Sequence, residues 1–196
     1  MKYRLVGSEM CIRDSPDALE MHQLFFNLKA NGIDHVALEA SSHGLDQSRL
    51  DGVQFSGACF TNFSQDHLDY HKSKDDYFEA KALLFRQLLT SDKTAVLNVN
   101  NNRIKLLAEE LKSQGNLVVT LGKSKGSNIQ LKRQTFDSSG QEVFFKYDGI
   151  LYQKRLNLIG GFQAENVLMA AALVISLGSE PQDVFNVLHN LSLIHI

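Results

Sequence analysis

The sequence predicts an α/β fold, a mostly parallel sheet with flanking helices and a small antiparallel β-meander near residues 127–158. The first observation is that strand-like and helix-like segments alternate through residues 57–121, as in parallel βαβ units. The second is a change after Gly126 to short alternating segments separated by Ser-Ser-Gly and Asp-Gly turns, which favours hairpins. The third is a length of 196 residues with 43% hydrophobic residues, which is enough to bury the core of one domain.

The first half of the chain carries the alternation of helices and strands. Apolar residues at helical spacing predict a helix from about residue 17 that ends at Asn31-Gly32. Residues 33–40 and 57–62 are predicted strands, and each ends in a cluster of polar residues. The next predicted elements are a helix over 75–89, a strand over 94–99, a helix over 103–113 and a strand over 117–121.

The second half begins with the predicted meander. Its strands are expected over residues 127–133, 142–147 and 150–158. Gly160-Gly161 then precedes an Ala/Leu-rich helix predicted over residues 164–177, and Pro181 begins a last helix of about ten residues.

The two ends differ in character from the rest of the chain. Residues 1–15 show no helical or strand period, and with residues 191–196 they resemble translated sequencing-adapter sequence. We therefore expect a non-native leader over 1–15, one domain over 16–190 that is truncated at both ends, and a non-native tail over 191–196. An ordinary flexible N-terminus is the alternative interpretation of the leader.

Composition excludes several classes of protein. Twenty Lys and Arg against 22 Asp and Glu give a net charge of -2, which argues against a nucleic-acid-binding protein. The longest nearly continuous apolar run is residues 168–177, about half of what a bilayer span needs, so no membrane helix is predicted. Two cysteines are too few for a disulfide scaffold, and we expect a cytoplasmic location.

Polar clusters follow the first two predicted strands. Ligands bind beyond the carboxyl ends of strands in open α/β sheets, so these clusters are candidate sites. Asp66, His67, Asp69 and His71 offer four possible ligands for a hard or borderline divalent ion, although such loops often serve only as turns and caps. Glu39 ends an apolar segment, where a buried unpaired carboxylate would need a cation; an exposed strand end is the alternative.

Residues 41–49 favour substrate binding over nucleophilic catalysis. The nucleophile elbow of acyl hydrolases requires Gly-x-Ser-x-Gly, and Ala40 precedes Ser41 here. Ser41, Gln47 and Arg49 are instead candidate substrate-holding groups, because a guanidinium can bind a carboxylate through two parallel hydrogen bonds. A Walker A motif is also absent, since residues 122–127 lack its glycine spacing and its Gly-Lys-Ser/Thr ending.

Three segments taken together are far more specific than their parts. Residues 39–50 (EASSHGLDQSRL), 60–71 (FTNFSQDHLDYH) and 77–85 (YFEAKALLF) resemble the Mur ligases in order and spacing. Residues 160–166 (GGFQAEN) resemble a further motif of that family, from which Gln163 departs and which Asn166 matches. The likeness covers about residues 16–191 and implies the family's P-loop-like central ATP-binding domain.

The resemblance implies an ATP-dependent ligase of peptidoglycan synthesis, within the branch that adds the third amino acid. Its substrates would be UDP-N-acetylmuramoyl-L-alanyl-D-glutamate (the UDP-muramoyl dipeptide), ATP and either diaminopimelate or lysine, joined through an acyl phosphate. It also implies Mg2+ as cofactor and roles in cell-wall biogenesis, cell shape and cell division; we further expect a monomer. The family's phosphate loop and C-terminal domain are not in this sequence, so we expect this polypeptide alone to be inactive.

The resemblance also assigns roles to individual residues. Glu39 and His67 match magnesium ligands, and Lys81 matches the lysine that takes up carbon dioxide to become a carbamate, a third carboxylate-like ligand. Ser41, Gln47 and Arg49 match residues that hold the UDP-muramoyl dipeptide, and Asn166 matches a contact to the nucleotide. The helical spacing places Lys81 between Phe78 and Phe85 at an inward-leaning position, where a lysine stem lying along apolar neighbours is the simpler alternative.

Three other functions compete with this one. A folylpolyglutamate synthase-like ligase would share the acyl-phosphate chemistry, but residues 41–45 and 66–71 favour the Mur ligases. A metal-dependent hydrolase would need further ligands, and the remaining histidines form no cluster in the sequence. A noncatalytic nucleotide-binding module stays open.

Overall fold

A computed structural model describes residues 17–64 and 70–191. The chain divides into two compact units. The first unit comprises residues up to 55 together with 65–88, and the second comprises 56–64 together with 89 onward. Among the helices of the described ranges, none combines the length and the apolar character that crossing a membrane requires.

The first unit is helical in its described part. Its helices are α1 (Ala18–Ala30), α2 (Ser42–Asp46) and α3 (Lys74–Leu83), and α3 continues into a π-helical turn (Leu84–Leu88). Each helix begins at a residue whose side chain accepts a hydrogen bond from the backbone of the first turn: Asp17, Ser41 and Ser73. Such caps satisfy amide groups that have no partner within the helix, which explains why the helices start where they do.

The strand predicted over residues 33–40 is wrong. These residues carry no regular structure, and Ile33 and Val36 are 39% and 41% exposed. A strand persists only where a neighbouring strand satisfies its amide and carbonyl groups. Among the described residues the sheet ends at its first strand, residues 57–60, and includes no strand from this segment.

The second unit contains a six-stranded sheet with strands in sequence order. The first four strands are neighbours in parallel and the last three form an antiparallel meander, which confirms the predicted fold class. The strands are β1 (Gly57–Phe60), β2 (Thr94–Asn98), β3 (Leu117–Gly122), β4 (Ile129–Asp137), β5 (Gly140–Tyr147) and β6 (Ile150–Leu156). The helices are α4 (Asn102–Ser113), α5 (Gly161–Ser176) and α6 (Pro181–Asn186), followed by a 3-10 turn (Leu188–Asn190). The last helix is therefore shorter than the ten residues predicted.

Helix α5 lies against the sheet and closes the core of the second unit. Its residues Ala164, Leu168 and Met169 are at most 1% exposed and belong to one apolar cluster with Val96 and Phe145 of the sheet. Gln141 of β5 is fully buried, and its Nε2 donates to the carbonyl oxygens of Leu158 and Gly160, 3.2 and 2.9 Å away. These bonds fix the backbone that leads into α5, and so they determine where α5 begins.

Candidate active site

Helix α2 presents the candidate substrate-holding side chains of the first unit. The Oγ of Ser41 accepts a hydrogen bond from the amide of Gly44 at 3.0 Å, which starts the helix. After five residues the chain turns at Ser48, whose φ of 56° lies in the left-handed region, and the amide of Arg49 donates to the carbonyl oxygen of Gly44 at 2.8 Å. This turn folds Arg49 back over α2, so Gln47 and Arg49 come together.

The side chains of Gln47 and Arg49 form one arm. Nη2 of Arg49 donates to Oε1 of Gln47, and Nε2 of Gln47 donates to the hydroxyl of Tyr70 at 3.1 Å. A guanidinium has five N–H donors in a planar fork, so Arg49 can hold Gln47 and a ligand carboxylate together. The sequence-predicted pair is thus brought together, whereas the part played by Tyr70 was missed. The available signal was that Tyr70 lies in the segment 60–71, directly before the candidate ligand His71.

His71 joins α2 to α3 in the interior of the first unit. It is 6% exposed, and its Nε2 lies 2.9 Å from the Oγ of Ser42. Its ring centroid lies 5.3 Å from that of Tyr77 on α3 and 4.8 Å from that of Tyr70. A buried polar side chain with a satisfied hydrogen bond holds a single arrangement, so these contacts fix how the two helices meet.

Lys81 lies in the last turn of α3 and is half-buried, as its spacing predicted. The side chains of Phe78 and Phe85 on either side are 6% and 2% exposed. Nζ of Lys81 lies 5.4 Å from the ring centroid of Tyr77, one helical turn earlier. The π-helical turn begins three residues after Lys81, and such turns are frequent at functional sites. Lys81 is therefore half-buried beside aromatic side chains, and its chemical role stays a prediction.

The predicted metal set of Glu39, His67 and Lys81 is only partly within the described residues. His67 lies outside them, as do Asp66 and Asp69. Glu39 is exposed, so the cost of burying an unpaired carboxylate does not arise at this position. No group of three His, Cys, Asp or Glu side chains suited to a metal ion occurs within residues 17–64 and 70–191. The shared metal site therefore stays a prediction.

The second unit has its own polar site at the carboxyl ends of its parallel strands. A cavity of about 180 Å3 is lined by Thr61 after β1, by Asn98 and Asn100 after β2, and by Glu165 of α5, among others. The carboxylate of Glu165 accepts from Nδ2 of Asn98 at 2.7 Å and from Nδ2 of Asn100 at 3.3 Å. The predicted nucleotide-contacting residue Asn166 is exposed on the same helix, next to Glu165. Sequence reasoning missed Glu165, because its hydrogen-bond partners Asn98 and Asn100 lie 67 and 65 residues away along the chain.

A polar cavity beyond the carboxyl ends of parallel strands is the usual ligand site of open α/β proteins. Comparison with known proteins makes the class specific. The Mur ligase middle domain matches residues 4–174. The chain therefore belongs to the Mur ligase family.

Individual relatives agree with this assignment. The chain is 40% identical over 177 residues to "UDP-N-acetylmuramoyl-L-alanyl-D-glutamate--2,6-diaminopimelate ligase" of Caulobacter vibrioides, a match that covers 90% of this chain and 36% of that protein. The ligase of the same name from Rickettsia montanensis is 36% identical over 187 residues, covering 93% of this chain and 39% of that one. The chain thus spans little more than a third of the curated relatives it matches.

Solved structures show the same fold. A 2,6-diaminopimelate ligase of that name superposes with a TM-score of 0.82 at 27% identity, covering 91% of this chain and 37% of that one. MurF ligase from Thermotoga maritima in complex with ADP gives a TM-score of 0.64 at 17% identity over 76% of this chain and 34% of that one. At that identity the second likeness concerns the fold alone.

Proposed function

We propose that this chain is the central part of an ATP-dependent ligase that joins an amino acid to UDP-N-acetylmuramoyl-L-alanyl-D-glutamate in peptidoglycan synthesis. The observation that carries the proposal is the 40% identity over 177 residues to a ligase named for that substrate. The joined Gln47–Arg49 arm and the half-buried Lys81 supply groups suited to this chemistry. The names of the relatives favour diaminopimelate as the added amino acid, with lysine as the alternative.

The proposed reaction has two steps. The D-glutamate side-chain carboxylate attacks the γ-phosphorus of ATP, which gives an acyl phosphate and ADP. The amine of the incoming amino acid then attacks the acyl carbon, inorganic phosphate leaves and the amine loses a proton. Both steps depend chiefly on positioning and on neutralisation of charge. Ser41, Gln47 and Arg49 would hold the UDP-muramoyl dipeptide, and Asn166 would contact the nucleotide.

Magnesium is the expected cofactor, and Glu39, His67 and Lys81 as its carbamate would hold it. Carboxylate and carbamate oxygens are hard donors of the kind that Mg2+ prefers. The ion would neutralise the negative charge that gathers when phosphates meet a carboxylate. Lys81 would contribute the amine for carbamate formation, because it is half-buried and its Nζ lies 5.4 Å from the ring centroid of Tyr77.

The test is ATP turnover by the full-length product of the gene that contains residues 17–191, with the UDP-muramoyl dipeptide, Mg2+ and either diaminopimelate or lysine. Turnover that requires the dipeptide supports the proposal. Turnover with a folate substrate instead would favour the folylpolyglutamate synthase-like alternative, and nucleotide binding with no turnover would favour a noncatalytic module. The 196-residue chain alone should show no turnover, and activity of this chain would contradict the part of the proposal that makes it a fragment.

Lys81 allows a sharper test. We expect Lys81→Ala to abolish turnover, and 13CO2 should give a carbamate carbon signal in the unsubstituted enzyme that disappears in the variant. Lys105→Ala is the matched control, because Lys105 lies on the surface of α4 and is 59% exposed. An unchanged carbamate signal in Lys81→Ala would show that Lys81 is not the carbamylated residue, and the proposal of ligase activity would be unaffected. We further propose that the full-length enzyme is a cytoplasmic monomer that binds neither nucleic acid nor a membrane.

A further inference from the structure

Tyr70 is held in place more firmly than its partial exposure suggests. Its side chain is 39% exposed, yet its ring centroid lies 4.0 Å from that of His43 and 4.8 Å from that of His71. His71 is itself buried and lies within hydrogen-bonding distance of Ser42. The phenol therefore packs against two imidazoles, whose own ring centroids lie 5.6 Å apart, and these contacts restrict where its hydroxyl lies.

The hydrogen bonds around this hydroxyl have only one possible direction. A guanidinium has donors and no acceptor, so Gln47 must turn its Oε1 towards Arg49 and its NH2 group towards Tyr70. The oxygen of Tyr70 then accepts from Gln47, and its own proton is donated to Oδ2 of Asp46 at 2.8 Å. Arg49, Gln47, Tyr70 and Asp46 thus form a chain in which every donor points the same way, and hydrogen bonds in such chains strengthen one another.

This chain holds the guanidinium of Arg49 at one point, through the hydrogen bond from its Nη2 to Oε1 of Gln47. Without the acceptor at Tyr70, the Gln47 amide would lose the hydrogen bond that holds its Nε2, and only Arg49 would still hold its Oε1. Bidentate recognition of a carboxylate depends on the orientation of the guanidinium plane, which a flexible four-bond side chain does not hold by itself. We propose that Tyr70 is a positioning residue for Arg49 in the binding of the UDP-muramoyl dipeptide, an inference that rests on the proposed function.

The expected effect is a loss of ground-state binding. Tyr70→Phe keeps the ring in contact with the two imidazoles and removes only the hydroxyl. The hydroxyl takes part in two hydrogen bonds, and loss of the one from Gln47 should raise the KM for the UDP-muramoyl dipeptide about fivefold to tenfold. The kcat and the KM for ATP should stay within twofold, because an interaction made equally in ground and transition states affects only KM. The urea midpoint should not move, since the bonds lost are near the surface.

The experiment measures both kinetic constants for the full-length enzyme with Tyr70→Phe, Gln47→Ala and the double variant, with Tyr152→Phe as the matched control. The Tyr152 ring packs against Phe145 and Phe185 in the second unit. If Tyr70 acts through Gln47, Tyr70→Phe should add less than twofold to the KM of Gln47→Ala. An unchanged KM in Tyr70→Phe, or fully additive effects, would overturn the inference while the ligase activity of the unsubstituted enzyme stands. Absence of dipeptide-dependent turnover in the unsubstituted enzyme would overturn the proposed function and this inference together.

Discussion

Replacing Phe185 with alanine should destabilise the second unit strongly. Phe185 lies on α6 and is fully buried, with ring centroids 5.0 Å from Phe145, 5.5 Å from Tyr147 and 4.8 Å from Tyr152. Truncating a buried phenylalanine to alanine costs about 3–5 kcal/mol, from lost transfer free energy and from the cavity left behind. Three aromatic neighbours place this site at the upper end, since each favourable ring pair adds about 0.5–1.5 kcal/mol. This is a large part of the ~5–15 kcal/mol that stabilises an ordinary domain.

Urea unfolding followed by far-ultraviolet circular dichroism measures this effect. With a slope of about 2 kcal/mol per molar urea, a loss of about 5 kcal/mol lowers the midpoint by about 2.5 M. Phe136→Ala is the control, because Phe136 is 58% exposed and its loss should change the free energy of unfolding by less than about 0.5 kcal/mol. Equal shifts for the two variants would show that the aromatic cluster around Phe185 does not stabilise the fold.

Two further predictions follow from single positions in the sheet. Gly140→Ala should destabilise the meander and lower the urea midpoint, because its φ is 154° and an added Cβ would lie 2.2 Å from the carbonyl oxygen of Leu156. Gly149→Ala is the control: no other atom lies within 4 Å of its added Cβ, so it should lower the midpoint only by the smaller strain of its positive φ. Burial raises the pKa of the Cys59 thiol to about 12 from an ordinary value of 9.0, so above pH 9 the unfolded chain releases a proton that the folded chain keeps. The free energy of unfolding should therefore fall as the pH rises from 9 towards 12, by up to about 1.4 kcal/mol per pH unit from this group. In Cys59→Ala the urea midpoint should fall less steeply with pH, and equal pH dependence in the two proteins would contradict the raised pKa of Cys59.

The hairpins of the meander could be predicted because their turns carry local chemistry. Asp148 and Gly149 both adopt positive φ, 48° and 79°, between β5 and β6. An Asp-Gly pair tolerates this conformation, and it matches the twist of the flanking strands. The register between residues 147 and 150 follows directly from that turn. The inward lean of Lys81 was equally local, because its neighbours at helical spacing decide which side of α3 is buried.

The segment 33–40 shows where local pattern fails. Its apolar residues favour a strand in the sequence. A strand forms, however, only when its backbone hydrogen-bonds to a neighbouring strand, which can come from any part of the chain. The same limit hid Glu165, whose partner Asn98 is 67 residues away, and Tyr70, whose partner Asp46 is 24 residues away. Side-chain chemistry and the resemblance to the Mur ligases identified Gln47 and Arg49 as candidate substrate-holding residues, but neither could show what orients them.

Phe185 and Tyr70 illustrate two kinds of contribution that should separate experimentally. Phe185 stabilises by the apolar area it removes from water and by contact with three rings, which are effects without a preferred hydrogen-bond direction. Tyr70 lies near the surface, where a hydrogen bond adds little to folding because water can replace it. Its hydroxyl nevertheless holds the Nε2 end of the Gln47 amide. Phe185→Ala should therefore lower the free energy of unfolding while the folded fraction keeps its KM for the dipeptide. Tyr70→Phe should raise that KM and leave the free energy of unfolding unchanged. The packed interior of the second unit stabilises the fold. In the first unit, the hydrogen-bonded chain from Arg49 to Asp46 is proposed to orient the guanidinium that binds the substrate carboxylate.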